Sequence, residues 1–252
     1  AIAFVLAAGV FGTPEATAQA GDRHLVLFKG NGVPKGFTEE VEALGGSVVF
    51  THKVGMGIVE GLTEEAAAEI GANKKVSAVQ ANETFYLNPM IGAAEAAGGS
   101  IPESPDDPTT ASRYARQWNM RAIEADAAWD AGRFGSPGVT LAILDTGIAY
   151  TYPDLDGLVD LSRSVSFLPE DDALVDAYFP GMHYVTDLHY HGTHVASTAV
   201  SNSYATAGVT TETTLMGVKV CSVYGGCPFD AIVQGILWAV DNGADVANMS
   251  LG

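Results

Sequence analysis

Residues 190 to 200 read YHGTHVASTAV and place His191 at the start of a run of small and apolar side chains. Gly192 and Thr193 predict a tight turn, in which the Thr193 hydroxyl can help to cap the free N–H groups of the following helix. The alanines and the serine that follow allow close packing, so the helix is predicted to be buried. Because a purely structural histidine seldom begins a buried helix, His191 is a candidate functional residue.

A second stretch supplies a chemical partner for this histidine. Residues 139 to 147 read VTLAILDTG, a short apolar run suited to a strand that is buried on both faces. The run ends in Asp145, and Gly147 permits a sharp exit from the strand. In open α/β sheets, ligands and chemistry collect at the carboxyl ends of the strands. A carboxylate there can fix the tautomer of His191 and stabilise its imidazolium, so that the imidazole acts as a general base.

Three motifs in this order resemble the subtilisin family of serine proteases. They are DTG at residues 145–147, HGTHVA at 191–196 and NMSLG at 248–252, and the order Asp before His is that of subtilisins. The resemblance covers roughly residues 23 to 252. It implies a doubly wound parallel α/β sheet, incomplete in this chain, and a serine endopeptidase that hydrolyses proteins or peptides through an Asp-His-Ser triad. Asp145 would orient the imidazole and His191 would be the general base.

The same resemblance implies two further parts of the site. Ser250, Leu251 and Gly252 match the family's substrate-binding strand, which pairs with an extended peptide, although an ordinary core strand is the alternative. The serine nucleophile belongs to a Gly-Thr-Ser-like motif, which does not occur in these 252 residues, and the asparagine of the oxyanion hole cannot be placed. Both are expected beyond residue 252, and the chain is interpreted as an N-terminal fragment without the nucleophile.

Three other interpretations stay open. His183, His189, His191 and His194 could form a metal cluster, but that leaves Asp145 unexplained. Asp-Thr-Gly also occurs in aspartic proteases, but their chemistry needs a second such carboxylate, and no second motif is present. The third is a non-enzymatic protein whose N-terminal domain inhibits a protease or assists its folding.

The formal net charge of −18, from 30 acidic and 12 basic residues, argues against nucleic acid as a partner. The acidity fits solubility, and it also permits calcium binding or the steering of cationic substrates. Asp154 follows Tyr152-Pro153 in a loop whose aspartate is a calcium ligand in many subtilisins. The resemblance therefore implies a structural calcium ion at Asp154 and no catalytic cofactor. Residues 202–208, where the other ligands would lie, depart from the family pattern.

The N-terminus suggests export. Residues 1–12 are a short apolar run, and Ala18-Gln19-Ala20 has the small-x-small pattern of a signal-peptidase site, so residues 1–20 are interpreted as a signal-peptide remnant. A buried strand or helix is the alternative. After cleavage we expect a secreted or periplasmic protein without a membrane anchor, and a monomer. In an exported protein, Cys221 and Cys227 predict a disulfide that closes a glycine-rich loop, with two free thiols as the alternative.

Residues 21–90 alternate short elements in the order β-α-β-β-α-β, the ferredoxin-like pattern. Thr38 and Thr63 begin its two helices, and the last strand runs from Val76 to Leu87. This segment resembles the inhibitor-type propeptide of subtilisins, which is a folding template and an intramolecular inhibitor. The resemblance implies that the stretch ending near residues 85–88 occupies the substrate cleft until it is cut.

A linker is predicted at residues 91–112, followed by the N-terminal part of the catalytic domain at 113–252. In that part, one helix runs over residues 122–129, and a second, with apolar residues at helical spacing, over 229–240. Strands are predicted at 215–220 and 245–250, and the polar insertion at 169–184 is interpreted as a loop. Strand–helix–strand alternation gives a parallel, doubly wound sheet.

Overall fold

The computed structural model describes residues 22–87 and 107–251 and divides into two compact units between Glu83 and Thr84. The predicted signal-peptide remnant and most of the predicted linker lie outside the described residues. Among the helices described, none is both long and apolar enough to span a membrane.

The first unit has the predicted element order. It consists of β1 Arg23–Phe28, α1 Phe37–Ala43, β2 Ser47–His52, β3 Met56–Glu60, α2 Glu64–Ala72 and β4 Val76–Ala81. The strands form an antiparallel sheet in the order β2-β3-β1-β4. Apolar residues from the strands pack against both helices, which confirms the β-α-β-β-α-β pattern.

The two helix starts of this unit differ. Thr63 is an N-cap, since its hydroxyl accepts the Ala66 N–H at 3.2 Å. The prediction for Thr38 is wrong, because α1 already begins at Phe37 with Gly36 at the N-cap position. Phe37 is buried and packs edge-on against Phe28, at 4.9 Å between ring centroids.

The second unit is built on a parallel sheet. Its elements are β5 Thr84–Tyr86, α3 Trp118–Ala122, α4 Ala125–Asp130, β6 Thr140–Asp145, β7 Val165–Ser166, α5 Pro169–Tyr178, α6 His191–Ala199, β8 Thr214–Lys219, β9 Gly226–Pro228, α7 Phe229–Asp241 and β10 Val246–Asn248. Strands β10, β6, β8 and β7 lie in that order and all pair in parallel. The predicted α/β fold with a parallel sheet is confirmed.

Helices cover both faces of this sheet, as alternation along β6 requires. Ala142 and Leu144 pack in a cluster with α7, whereas Ile143 between them packs in a cluster with α6. β6 is therefore buried on both faces, and its carboxyl end lies beside the start of α6. This arrangement places Asp145 and His191 near each other.

Several predicted boundaries are wrong. A left-handed Glu124, with φ 56°, divides the expected helix at 122–129 into α3 and α4. β10 ends at Asn248, and the strand predicted from Val76 to Leu87 ends at Ala81. The residues that follow form β5, which pairs antiparallel with β9 of the second unit.

The insertion interpreted as a loop contains α5. Pro169 occupies the first turn together with three acidic residues, a composition that suits a helix N-terminus. One of these acids, Asp171, is buried and pairs with buried Lys219 at 3.0 Å. The Lys219 ammonium also donates to the Thr186 carbonyl, 3.0 Å away, so this pair ties α5 to the end of β8.

Candidate active site

Asp145 and His191 are in direct contact, as the sequence predicts. The Asp145 Oδ1 atom lies 2.7 Å from His191 Nδ1. It also accepts the Thr146 N–H at 2.7 Å. Asp145 is fully buried at the end of β6, whereas the His191 side chain is 23% exposed. The protein thus holds the Nδ1 edge of an imidazole that remains partly exposed.

The hydrogen bond defines the tautomer of the imidazole. An ionised carboxylate can only accept hydrogen bonds, so Nδ1 carries the proton and Nε2 is left as an acceptor. Burial raises the pKa of the Asp145 carboxyl above its usual value, while the hydrogen bonds from His191 and Thr146 act in the opposite direction. Oδ2 of Asp145 has no hydrogen-bond partner among the described residues, so the carboxylate relies on Oδ1 for its contacts.

Two glycines allow the end of β6 to approach the start of α6. A Cβ atom on Gly192 would lie 2.2 Å from the Gly147 carbonyl oxygen and 3.1 Å from the Asp145 Cβ. Gly147 itself has φ 117°, and its Cβ would lie 2.4 Å from the Val185 carbonyl oxygen. The glycines of the DTG and HGTH motifs are therefore required by backbone contact at the pair.

Asp187 is a functional candidate that the sequence reasoning missed. Its carboxylate accepts hydrogen bonds from Thr146 Oγ1 at 2.9 Å and from the Thr193 N–H at 2.9 Å. Thr193 was predicted to cap the helix, but its hydroxyl donates to Asp187 and accepts the Ala149 N–H at 3.0 Å. The capping prediction is wrong because the Asp187 carboxylate occupies that position. The only signal in the sequence is an acid four residues before His191.

Asp145, Asp187 and His191 all lie in a segment that matches a known protein family. Residues 136–252 match the model of the Subtilase family, Peptidase_S8. These residues belong to the subtilase family. The chain is 32% identical over 239 residues to an alkaline protease of Alkalihalobacillus alcalophilus, covering 94% of this chain and 55% of that protein. It is 39% identical over 137 residues to Subtilisin Savinase of Lederbergia lenta, covering 54% of this chain and 45% of that protein.

Solved structures agree on the fold. The epidermin leader peptide processing serine protease of Staphylococcus aureus, as its S393A mutant, matches with a TM-score of 0.62 and 18% identity over 91% of this chain and 50% of that chain. Fervidolysin from Fervidobacterium pennivorans, a keratinolytic enzyme related to subtilisin, matches with a TM-score of 0.64 and 22% identity over 91% of this chain and 35% of that chain. The chain spans about half the length of the curated relatives it matches.

The other histidines of this subtilase segment take no part in the Asp145–His191 hydrogen bond. His194 is exposed on α6, and His189 stacks on Tyr190 at 4.3 Å between ring centroids. Burial lowers the pKa of both His183 and His189. Within residues 22–87 and 107–251, no three His, Cys, Asp or Glu residues are placed to hold a metal ion.

The predicted substrate-binding residues come after β10, which is an edge strand of the parallel sheet. Ser250 and Leu251 follow β10 after Met249, and the Ser250 hydroxyl lies 2.9 Å from Asn248 Oδ1. Leu251 packs partly against the core cluster under α7. Gly252 lies outside the described residues, and the pairing of this stretch with a peptide stays a prediction.

An extended segment lies along β9 on the second unit. β5 pairs antiparallel with β9, and the Leu87 N–H donates to the Gly225 carbonyl at 2.9 Å. Leu87 is buried among core residues, and the Phe85 ring lies 6.0 Å from that of Phe229. A Cβ on Gly225 would lie 3.6 Å from both His189 Nε2 and Leu87 Cβ, so the end of the segment lies beside the histidine-bearing loop.

The loop that precedes β9 is closed by the predicted disulfide. Cys221 and Cys227 are bonded, and both are fully buried. The bond confirms the disulfide interpretation and joins the end of β8 to the strand that pairs with residues 84–86.

Asp154, the predicted calcium ligand, is surrounded by hydrogen-bond donors. Its Oδ1 accepts the Ser201 hydroxyl at 2.8 Å and the N–H groups of Tyr204, Ala205 and Thr206 at 2.9, 3.0 and 3.3 Å. Calcium is bound by six to eight oxygen atoms, and N–H donors that point at the carboxylate occupy the space where a cation would sit. The Oδ1 atom of Asp154, surrounded by these donors, does not fit a metal ion.

Proposed function

We propose that this chain is part of an exported serine endopeptidase that hydrolyses peptide bonds of proteins or peptides. The observation that carries the proposal is the 2.7 Å contact between buried Asp145 and His191 at the carboxyl end of a parallel strand. Membership of residues 136–252 in the subtilase family supports it. The proposal requires a nucleophilic serine, and residues 1–252 contain no Gly-Thr-Ser motif that would supply it.

Asp145 and His191 together can carry out the proton transfers that an acyl-transfer reaction needs. Asp145 accepts the Nδ1 proton of His191, so Nε2 is free to take the proton from a serine hydroxyl as that oxygen attacks the substrate carbonyl. The charge of Asp145 then stabilises the imidazolium. Nε2 afterwards returns the proton to the leaving amine, and the same exchange with water releases the acyl group.

The proposal includes the partners of the active site. Ser250, Leu251 and Gly252 pair with the substrate backbone, and residues 21–90 act as a propeptide that inhibits its own enzyme. The pairing of β5 with β9 supports the inhibitory role, because an extended strand added to a sheet edge is how a protease commonly holds a peptide. The Cys221–Cys227 bond supports export to an oxidising compartment.

The test is casein hydrolysis by the full-length protein and by its Asp145→Asn and His191→Ala variants. We expect either substitution to lower kcat by about 10⁴-fold or more, because each removes the orientation or the base that the serine needs. Circular dichroism checks that the variants are folded. Hydrolysis at the unmodified rate by a folded His191→Ala protein refutes the proposal.

A non-enzymatic inhibitor is the second candidate, and the β5–β9 pairing favours it equally. Residues 21–90, titrated against a subtilisin, should inhibit under both proposals. The two differ in the full-length protein, which hydrolyses casein only under the first.

A further inference from the structure

We propose that Asp187 is a positioning residue that sets the geometry of Asp145 and His191 before substrate binds. Its consequence for reaction rate rests on the proposed protease function. The geometric claim rests on hydrogen bonds that join the two segments carrying these residues.

The Asp187 carboxylate joins these segments directly. Oδ1 accepts the hydroxyl of Thr146, the residue after Asp145, at 2.9 Å, and the N–H of Tyr190, the residue before His191, at 3.0 Å. Oδ2 accepts both the N–H and the hydroxyl of Thr193 in the first turn of α6. One side chain therefore fixes the exit of β6 and the start of α6 relative to each other.

Thr146 extends the connection back to the helix. Its hydroxyl donates to Asp187, so its lone pairs face the Gly192 N–H, which it accepts at 2.9 Å. Asp187 sets the direction of these two hydrogen bonds, because an ionised carboxylate can only accept. Gly192 directly follows His191 in the sequence, so the Asp187–Thr146 pair acts on the backbone that carries the imidazole.

Tyr190 shows that this backbone is held under strain. Its φ is 125°, in the region that residues with a side chain rarely adopt. Such a conformation persists only where the surroundings over-determine it. Asp187 supplies that constraint, since its Oδ1 accepts the N–H groups of both His189 and Tyr190. Without the carboxylate, the residue before His191 is expected to relax and to turn the imidazole away from Asp145.

The charge of Asp187 also suits its place. The carboxylate faces the N-terminus of α6, where the free N–H groups favour a negative charge. It is one of the groups that raise the pKa of Asp145, after the larger effect of burial. The neutral Asp187→Asn variant removes both effects and cannot accept every one of the present hydrogen bonds.

The experiment compares Asp187→Asn with a matched carboxylate variant in the full-length protein. Asp160→Asn is the control, because Asp160 also accepts the N–H and hydroxyl of a nearby residue, Ser162, but is tied through Arg163 to the start of β6. We expect Asp187→Asn to lower kcat about 10- to 100-fold while KM changes less than about twofold, because binding is kept and alignment is lost. Asp160→Asn should leave both values unchanged.

A proton resonance reports the geometry of the Asp145–His191 hydrogen bond even when no substrate is hydrolysed. The Nδ1 proton of His191, shared with Asp145, should give a far-downfield proton resonance, assigned by its absence in His191→Ala. We expect Asp187→Asn to broaden or abolish it and Asp160→Asn to retain it. If the unmodified protein hydrolyses no casein, the proposed function fails, but this resonance still decides whether Asp187 holds the pair.

A second pair of variants decides the matter if Asp187→Asn does not fold. Thr146→Val removes the hydroxyl that joins Asp187 to Gly192, and Thr146→Ser keeps it. Loss of the resonance and of kcat in Thr146→Val, with recovery in Thr146→Ser, supports the proposal. Retention of the resonance and of kcat by folded Asp187→Asn, or by Thr146→Val when Asp187→Asn does not fold, overturns it.

Discussion

Gly192 shows how closely the Asp145–His191 contact depends on single residues. A methyl group at this position would meet the Gly147 carbonyl oxygen at 2.2 Å, and that oxygen belongs to the backbone, so it cannot move aside alone. We expect Gly192→Ala to lower the free energy of unfolding by about 1–3 kcal/mol. If the full-length protein is the proposed protease, the substitution should also lower kcat by about 10²-fold, because His191 is displaced from Asp145.

Gly138→Ala is the matched control for this prediction. A Cβ there would meet only the Ser136 hydroxyl, at 3.5 Å, which is ordinary contact. Chemical denaturation and casein hydrolysis measure the two effects. A Gly192→Ala protein that is as stable and as active as Gly138→Ala would contradict the structure of the site.

The sequence predicts Asp145 and His191 but not the residues that hold them. Each of the two lies in a short motif whose chemistry can be read locally. Asp187 has no such motif, because its contacts to Thr146 and Thr193 exist only once the strand and the helix are packed. A lone acid in a loop looks the same whether it is solvated or accepts hydrogen bonds from both segments.

Among the elements, α5 shows why periodicity missed part of the fold. Its sequence is polar, and its buried residues are Asp171 and Val175. The partner of Asp171 is Lys219, which lies in a strand 48 residues later, so no local pattern shows that the acid is buried. The lysine was a usable signal, since a charged residue in the apolar run of β8 must be paired to be buried.

The loop around Asp154 is held by hydrogen bonds to its carboxylate. We expect Asp154→Asn to lower the free energy of unfolding by about 1.5–3 kcal/mol, because the amide keeps one accepting oxygen but loses the charge that strengthens its hydrogen bonds, and its NH2 group cannot accept the Ala205 N–H. We also expect calcium to have no effect through this residue. The shift in melting temperature between chelator and excess calcium should therefore be the same in the unmodified protein and in Asp154→Asn.

Asn202 provides a comparison within the same loop. Its side chain donates to the Pro153 and Asp156 carbonyls, so Asn202→Ala loosens the loop without changing its charge. A calcium-induced rise in melting temperature that is present in the unmodified protein and in Asn202→Ala, but absent in Asp154→Asn, would show that Asp154 does bind the ion.

Along the chain, the alternation of strands and helices predicts the topology of the sheet better than it predicts where each strand or helix begins and ends. Strand–helix–strand order gave the parallel sheet, because right-handed crossovers leave few other arrangements. It did not reveal that residues 84–86 leave the first unit's sheet and pair with β9. Strand pairing between distant segments depends on which edge is free, and the sequence pattern does not contain that information.

The net charge leads to a prediction for the entire chain. With a formal charge of −18, the compact state repels itself more than the expanded chain does. Raising the ionic strength shortens the Debye length from about 30 Å at 0.01 M to about 3 Å at 1 M, which screens this repulsion. We therefore expect sodium chloride to raise the melting temperature at pH 7, and potassium chloride to act equally, because the effect is not specific to an ion.

The dependence on pH supplies the control for this prediction. Near pH 4.4, where the net charge calculated from the sequence vanishes, the same addition of salt should change the melting temperature much less. Scanning calorimetry over both pH values and both salts measures the four slopes. An equal rise at pH 7 and pH 4.4 would mean that salt acts through the burial of apolar surface, and self-repulsion would then not limit the stability of this protein.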